Sequence, residues 1–130
     1  MKQFMLLINN DINKDHGMSP EKYLEFLNAV GSYIEGLMKN GNLIGAQPLL
    51  NEGAMISGKP GAFKDGPFVE SKEVIVGYYH ILANDLDEAI AIAKQNPELA
   101  YKHTVNARIQ VRPIKGVEEK TNFNYPSGTK

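Results

Sequence analysis

The chain has 130 residues, which fits a single domain large enough to bury a hydrophobic core. Its 14 basic and 15 acidic residues leave a net charge of -1, so no broad basic surface is available to bind nucleic acid. It contains no cysteine, which excludes disulfides and thiolate chemistry. No apolar run approaches the roughly 20 residues of a membrane-spanning helix. We therefore expect a cytoplasmic protein that binds neither nucleic acid nor membranes.

The N-terminal part of the chain predicts a strand followed by a helix. The apolar run 4–8 ends in Asn9-Asn10-Asp11, which favours a first strand buried on both faces over a cleaved signal peptide. Ser19 then provides an N-cap, with Pro20 at the first helical position. Apolar residues recur every three or four positions until Gly41, which we predict as a left-handed C-cap.

The middle of the chain predicts three extended segments. Residues 42–49 and 54–57 precede the turn cluster Gly58-Lys59-Pro60-Gly61, and together they predict a hairpin or a bent sheet edge. Residues 73–82 form the longest predicted strand, in which Val74, Val76, Tyr78 and His80 alternate with Ile75, Gly77, Tyr79 and Ile81. Both sets are largely apolar, so we expect both faces to be buried.

The C-terminal part predicts a second helix and a last strand. Asp85-Leu86-Asp87-Glu88 is typical of a capping box, and Pro97 must end the helix that it opens, with one more turn possible up to residue 101. Polar and apolar residues alternate over 106–114. The resulting βαββαβ order predicts a ferredoxin-like α+β sandwich over residues 1–115. Residues 116–130 lack periodicity, and we expect a loose or partner-packed C-terminal extension.

The predicted architecture leaves one face of the sheet uncovered, because both helices of such a fold lie on the other face. The first strand and the strand over 73–82 nevertheless carry apolar residues on both sides. A second copy of the chain is the simplest cover, so we expect a homodimer with a shared interior.

Asp65-Gly66-Pro67-Phe68, followed by Glu70-Ser71-Lys72-Glu73 and Gly77-Tyr78-Tyr79, resembles the DGPF motif of YCII-related domain proteins. The closing Val111-Arg112-Pro113-Ile114 is also similar to that family, and the resemblance covers about residues 1–115. It implies a ferredoxin-like fold that pairs into a dimeric α+β barrel, with a pocket proposed as an active site. Some relatives pair a histidine near the first helix with an aspartate; here His16 precedes the helix, and it takes that part only if its loop folds back.

Three residues are candidate catalytic groups: Asp65, His80 and Arg112. Asp65 begins an Asp-Gly pair that is typical of turns, or it lies at a pocket rim with its pKa raised by burial for acid or base work. The apolar neighbours of His80 favour a core or interface histidine over a catalyst. Arg112 either clamps a substrate carboxylate or forms a salt bridge with Asp65 or Glu73. The predicted substrate-binding residues are Phe68, Glu73 and Tyr78.

The first functional hypothesis is an enzyme that acts without a cofactor, by acid-base chemistry, on a small organic acid in a pocket near Asp65. The glycines lack the spacing of nucleotide-binding loops, and no histidine pair has the spacing of metal ligands, so we expect no cofactor and no metal. One alternative is a small-molecule-binding or regulatory protein-interaction module, for which the resemblance implies an association with sigma-factor regulation. Another is a purely structural dimer.

Overall fold

The computed structural model describes residues 1–11, 15–66, 73–101 and 105–126. Within these ranges the strands are β1 (Lys2–Asp11), β2 (Leu43–Pro48), β3 (Met55–Lys59), β4 (Ala62–Gly66), β5 (Glu73–Ala83), β6 (Arg108–Pro113), β7 (Val117–Glu118) and β8 (Phe123–Asn124). The helices are α1 (Pro20–Lys39), α2 (Leu86–Lys94) and α3 (Pro97–Ala100). Four strands form one antiparallel sheet in the order β2-β5-β1-β6, which confirms the predicted α+β class.

The ends of the helices follow the capping signals of the sequence. The Ser19 hydroxyl accepts a hydrogen bond from the backbone N–H of Lys22 at 3.2 Å, and Gly41 takes a positive φ of 74° just after α1. At α2, Asp85 accepts from the backbone N–H of Glu88 at 2.8 Å. The Glu88 carboxylate reaches the backbone N–H of Asn84, one residue before the position that a standard capping box uses.

The hydrophobic core lies between the helices and one face of the sheet. Phe4, Leu6 and Ile8 of the central strand β1 are buried there, with Leu37 of α1 and Ala89 of α2 packed in the same cluster. The alternate residues of β1, Met5 and Leu7, are only half-buried. The prediction that β1 is buried on both faces is therefore wrong for the single chain, because no helix of the described residues covers this second side, which we call the open face.

The register between β1 and β5 contains an irregularity that the sequence pattern did not predict. Ile8 lies opposite Gly77 and Asn9 lies opposite Ile75, so Val76 has no partner in β1. Such an extra residue is typical of a β-bulge, which interrupts strict alternation. Val76 packs against the core cluster. The prediction that Val76 and His80 lie on the same face of the strand is therefore wrong.

The hairpin of the middle region is formed by β3 and β4, whereas β2 pairs with β5 as an edge strand. Of the two predicted alternatives, a hairpin between residues 42–49 and 54–57 is therefore wrong, whereas β2 does form an edge of the sheet. The tight turn lies at Pro60-Gly61, between the paired residues Lys59 and Ala62. Gly58 permits this approach, because a Cβ there would lie 2.6 Å from the carbonyl oxygen of Ala62 and φ is 120°.

Asp65 and Gly66 belong to β4 and pair with Ile56 and Met55, so the prediction that they form a turn is wrong. Glycine favours turns because it tolerates a positive φ, but Gly66 does not have a positive φ. The DGPF motif therefore begins in a strand, and its later residues 67–72 lie outside the described residues.

The C-terminal elements differ in how well the sequence predicted them. In β6, Ile109 and Val111 pack toward the core and alternate with the exposed Gln110 and Arg112, as predicted. The extension after residue 115 contains a small β7-β8 hairpin that ends at Asn124, so this part is not a loose segment, and its packing against a partner stays a prediction. No helix in the described part of the chain is long and apolar enough to cross a membrane.

Candidate ligand-binding cavity

A cavity of about 270 Å³ lies between α1 and the β2-β5 side of the sheet. This volume is just under the roughly 300–1,000 Å³ of pockets that hold drug-sized ligands. Its lining comprises Ile8, Tyr23, Phe26, Leu27, Val30, Ile34, Ala46, Gln47, Pro48, Val76, Gly77, Tyr78, Tyr79 and Glu98. Most of these side chains are apolar or aromatic, so the cavity is suited to a small molecule with an apolar body.

The cavity exists because only one end of α1 packs closely on the sheet. Toward the C-terminal end, Leu37 is buried, and Tyr33 and Ile34 contact the core. Toward the N-terminal end, Tyr23 and Leu27 remain 38% and 46% exposed although they belong to the same apolar stripe. The stripe therefore continues past the core and forms one wall of the cavity.

A chain of aromatic rings fixes the N-terminal part of α1 at the cavity. The His16 ring stacks on Tyr23 with a centroid distance of 4.4 Å, Tyr23 lies 6.2 Å from Phe26, and Phe26 meets Tyr101 edge-on at 5.3 Å. The backbone N–H of Met18 donates to Nδ1 of His16 at 2.9 Å. The described residues just before α1, 15–19, therefore place His16 in contact with Tyr23, a lining residue of the cavity.

The polar groups of the cavity are concentrated around Tyr79 and Glu98. The Tyr79 hydroxyl donates to Oε2 of Glu98 at 3.3 Å, and the backbone N–H of Glu98 donates to the Asn96 side chain at 2.9 Å. Nearby, the Tyr33 hydroxyl donates to the carbonyl oxygen of Ile92 at 2.7 Å, and the rings of Tyr33 and Tyr79 meet edge-on at 5.6 Å.

Burial raises the pKa of both Tyr33 and Tyr79, and the negative charge of Glu98 raises each further. The Asn96 side chain acts in the opposite direction on Tyr79 and lowers its pKa. Both phenols therefore stay protonated at neutral pH and serve as hydrogen-bond donors. Within the described residues there is no group of three or more metal-ligating side chains.

Among the described residues that the sequence predicted as a site, Tyr78 lines this cavity and the others lie elsewhere. Asp65 is exposed on β4. Met5 of β1 pairs with His80 of β5 on one side and with Arg112 of β6 on the other. The three residues therefore form a row across the open face. Glu73 forms an ion pair with Arg108, which also pairs with Asp11 at 3.2 Å. Phe68 lies outside the described residues.

His80 and Arg112 differ in their surroundings. The Nε2–H of His80 donates to Oε1 of Gln3 at 2.7 Å, and partial burial lowers the pKa of His80. Arg112 is exposed and makes no ion pair with another described residue. The predicted salt bridge to Asp65 or Glu73 is therefore wrong for the described residues, and Arg108 is the arginine that pairs with Glu73.

Glu98 was not predicted as a site residue, whereas Tyr78 was predicted to bind substrate and lines the cavity together with Tyr79. Glu98 follows Pro97 in a short helical turn, and no local pattern distinguishes it from an ordinary first-turn carboxylate. Its position beside Tyr79 depends on how α3 packs against the sheet, which spacing along the chain does not report.

The YCII-related domain profile matches residues 3–115 of the chain. The matched range contains the four-stranded sheet except for Lys2, the helices α1, α2 and α3, and every lining residue of the cavity. No curated protein sequence matches the chain. Because the profile covers most of its length, the protein belongs to the YCII-related domain family.

Proposed function

We propose that this domain binds a small, mainly apolar molecule in the cavity between α1 and the sheet. The observation that carries the proposal is the cavity itself, a space of about 270 Å³ whose walls are mostly aliphatic and aromatic side chains. An apolar cavity with a few polar groups is the usual form of a small-molecule site, and a volume just under the usual range suits a ligand smaller than a drug-sized molecule. Its few polar groups, around Tyr79 and Glu98, give a bound molecule one preferred orientation.

Filling the cavity tests this proposal. Val30 lines the wall that α1 contributes, so Val30→Phe occupies part of the space that a ligand needs. Benzyl alcohol is a suitable probe, and we expect it to bind the wild-type protein with a dissociation constant on the order of 1 mM. In an NMR titration, Val30→Phe should weaken this binding at least about tenfold.

The matched control is Leu24→Phe, which places the same ring on the same helix. Leu24 is 60% exposed and does not line the cavity. This variant should bind benzyl alcohol as the wild-type protein does. Equal binding by Val30→Phe and wild type, or no binding by the wild type at saturating probe, contradicts the proposal.

A second candidate function is cofactor-free acid-base chemistry on a small organic acid at the open face, and the row of His80, Met5 and Arg112 favours it. Adjacent strands are about 5 Å apart, so the two polar residues are separated by roughly 10 Å. A guanidinium binds a carboxylate in a bidentate manner, and a histidine with a lowered pKa is neutral at pH 7 and able to accept a proton. Asp65 is the further acid or base in this candidate.

We propose in addition that the single chain is half of a ferredoxin-like dimeric α+β barrel, in which a second copy covers the open face. Half-buried Met5 and Leu7 on that face support this arrangement. It also encloses the row of His80 and Arg112, which a site at the open face requires, because an exposed arginine holds a carboxylate weakly in water.

A further inference from the structure

The β3-β4 hairpin has two chemically different faces. Cross-strand partners and alternate residues of a regular hairpin share a face, and the register from Met55 to Gly66 is regular. Ile56, Phe63 and Asp65 therefore lie together on one face, which we call the acidic face. The other face carries Lys59 and Lys64 together with Met55. The hairpin thus combines large apolar side chains with a carboxylate on one side and carries its lysines on the other.

The acidic face is not covered by its own chain. Ile56 and Phe63 are both largely exposed. Asp65 is exposed as well and forms no ion pair with another described residue. An isolated two-stranded hairpin is at best marginally stable in water. We therefore expect another surface to pack against these apolar side chains.

The open face of the sheet has the complementary composition. Met5 and Leu7 alternate along β1 and provide its apolar part, and Arg112 of β6 lies opposite Met5. Arg112 is exposed and makes no ion pair with another described residue, whereas Arg108 on the same strand already has two carboxylate partners. The open face therefore offers apolar contact area beside an unpaired cation.

The two surfaces also agree in size. Each strand of the hairpin has five residues, which gives the hairpin a length of roughly 16 Å. The four strands of the sheet, at spacings of about 4.8 Å, make the open face about 14 Å wide between its outermost strands. A hairpin that crosses the strands therefore spans the open face from edge to edge.

We propose that the hairpin of each copy packs its acidic face on the open face of a second copy, where Asp65 forms an ion pair with Arg112 of the partner subunit. Both surfaces belong to the same chain, so a two-fold axis repeats the contact and each copy gives one hairpin and receives another. The opposite orientation is disfavoured, because it would bring the two lysines of the hairpin toward Arg112. This inference rests on the proposed dimer and names the surfaces that form it.

The contact also completes the candidate site at the open face. It brings Asp65 of one copy to the row of His80 and Arg112 in the other, so the proposed acid or base comes from the neighbouring chain. A guanidinium has five N–H donors, and Arg112 can therefore bind a substrate carboxylate while it is paired with Asp65. In this arrangement a site for a small organic acid exists only in the dimer.

Reversing the two charges tests the contact on the full chain by sedimentation equilibrium. Asp65→Arg or Arg112→Asp alone puts like charges opposite each other at both contacts of a two-fold dimer, and each variant should dimerise at least about tenfold more weakly than wild type. An equal mixture of the two variants should regain the wild-type affinity. In the mixed dimer one contact is native and the other has both charges reversed, so each contact joins opposite charges.

Lys64→Glu is the matched control, because it reverses a charge on the residue next to Asp65 but on the opposite face of the hairpin. Its dimer affinity should stay within about twofold of wild type. Circular dichroism spectra of all three variants should match that of the wild-type protein, which shows that the fold is kept.

The outcomes separate this inference from the dimer itself. A wild-type monomer at micromolar concentration shows that the dimer is wrong, and the hairpin contact falls with it. If the wild type dimerises and both variants dimerise equally well, the dimer stands and the hairpin contact is wrong. Weakened variants that mixing does not rescue also overturn the inference, because Asp65 and Arg112 then do not meet across the dimer.

Discussion

At the scale of single residues, replacing Asp65 distinguishes a chemical role of this side chain from a structural one. Its side chain is exposed on β4 and makes no hydrogen bond or ion pair with another described residue. Asp65→Asn should therefore change the free energy of unfolding by no more than about 0.5 kcal/mol. If Asp65 is the acid or base of the second candidate function, the same variant should reduce turnover roughly 100-fold or more.

Turnover is measurable without knowing the substrate if a panel of small carboxylic acids is incubated with the protein in D2O and their deuterium uptake is followed by NMR. Asp87→Asn serves as control, since Asp87 is another exposed aspartate on a separate element. Uptake that persists in Asp65→Asn would rule out this residue as the acid or base. A loss of more than about 1 kcal/mol of stability would instead show a structural role.

At the scale of secondary-structure elements, the Asp85 side chain controls where α2 begins. It accepts the backbone N–H of Glu88 at 2.8 Å, one of the donors that a helix N-terminus leaves without an intrahelical partner. Asp85→Ala should lower the free energy of unfolding by about 1 kcal/mol, which corresponds to about 4 °C in Tm for a domain of this size. Thermal unfolding followed by circular dichroism measures this change.

Asp85→Asn is the matched variant, because asparagine caps helices about as well as aspartate does. It should retain most of the stability that Asp85→Ala loses. An equal loss in both variants would show that the negative charge at the helix N-terminus matters more than the cap, whereas no loss in either would show that α2 depends on packing alone.

Elements also show how far the sequence predicts this fold. Caps at Ser19 and Asp85 were predictable because each acts over a few residues of chain. The pairing of β3 with β4, and the bulge at Val76, depend on which strands meet in space, so turn residues alone gave the wrong hairpin. The cavity is harder still to predict from the sequence, because it arises where the apolar stripe of α1 does not pack against the sheet.

At the scale of the whole molecule, two apolar surfaces are uncovered within the part of the chain that the structure describes. One is the open face with Met5 and Leu7, and the other is the β3-β4 hairpin, on which Ile56 and Phe63 are 71% and 64% exposed. Monomeric proteins rarely expose large contiguous apolar patches, and an isolated two-stranded hairpin is marginally stable in water. A two-fold dimer buries the same surface on both copies, which fits a chain with such faces.

The homodimer is tested by analytical ultracentrifugation at micromolar concentration. Wild-type protein should sediment at about twice the 14.4 kDa mass of one chain. Leu7→Asp puts a charge on the open face, where a second sheet would have to desolvate it, and should sediment as a monomer with its fold retained. Leu24→Asp is the control, because it places the same charge on an exposed position of α1 and should remain a dimer.

Each result has a definite meaning for the barrel. A wild-type monomer at micromolar concentration contradicts the dimer and removes the enclosure that a site around His80 and Arg112 needs, while the cavity under α1 remains, since it lies within one chain. A dimer that survives Leu7→Asp is held by another surface, and the exposed Ile56 and Phe63 of the hairpin would then be the residues to replace. Loss of the dimer in Leu7→Asp alone supports pairing through the open face, because only there does the added charge lie between two apolar sheets.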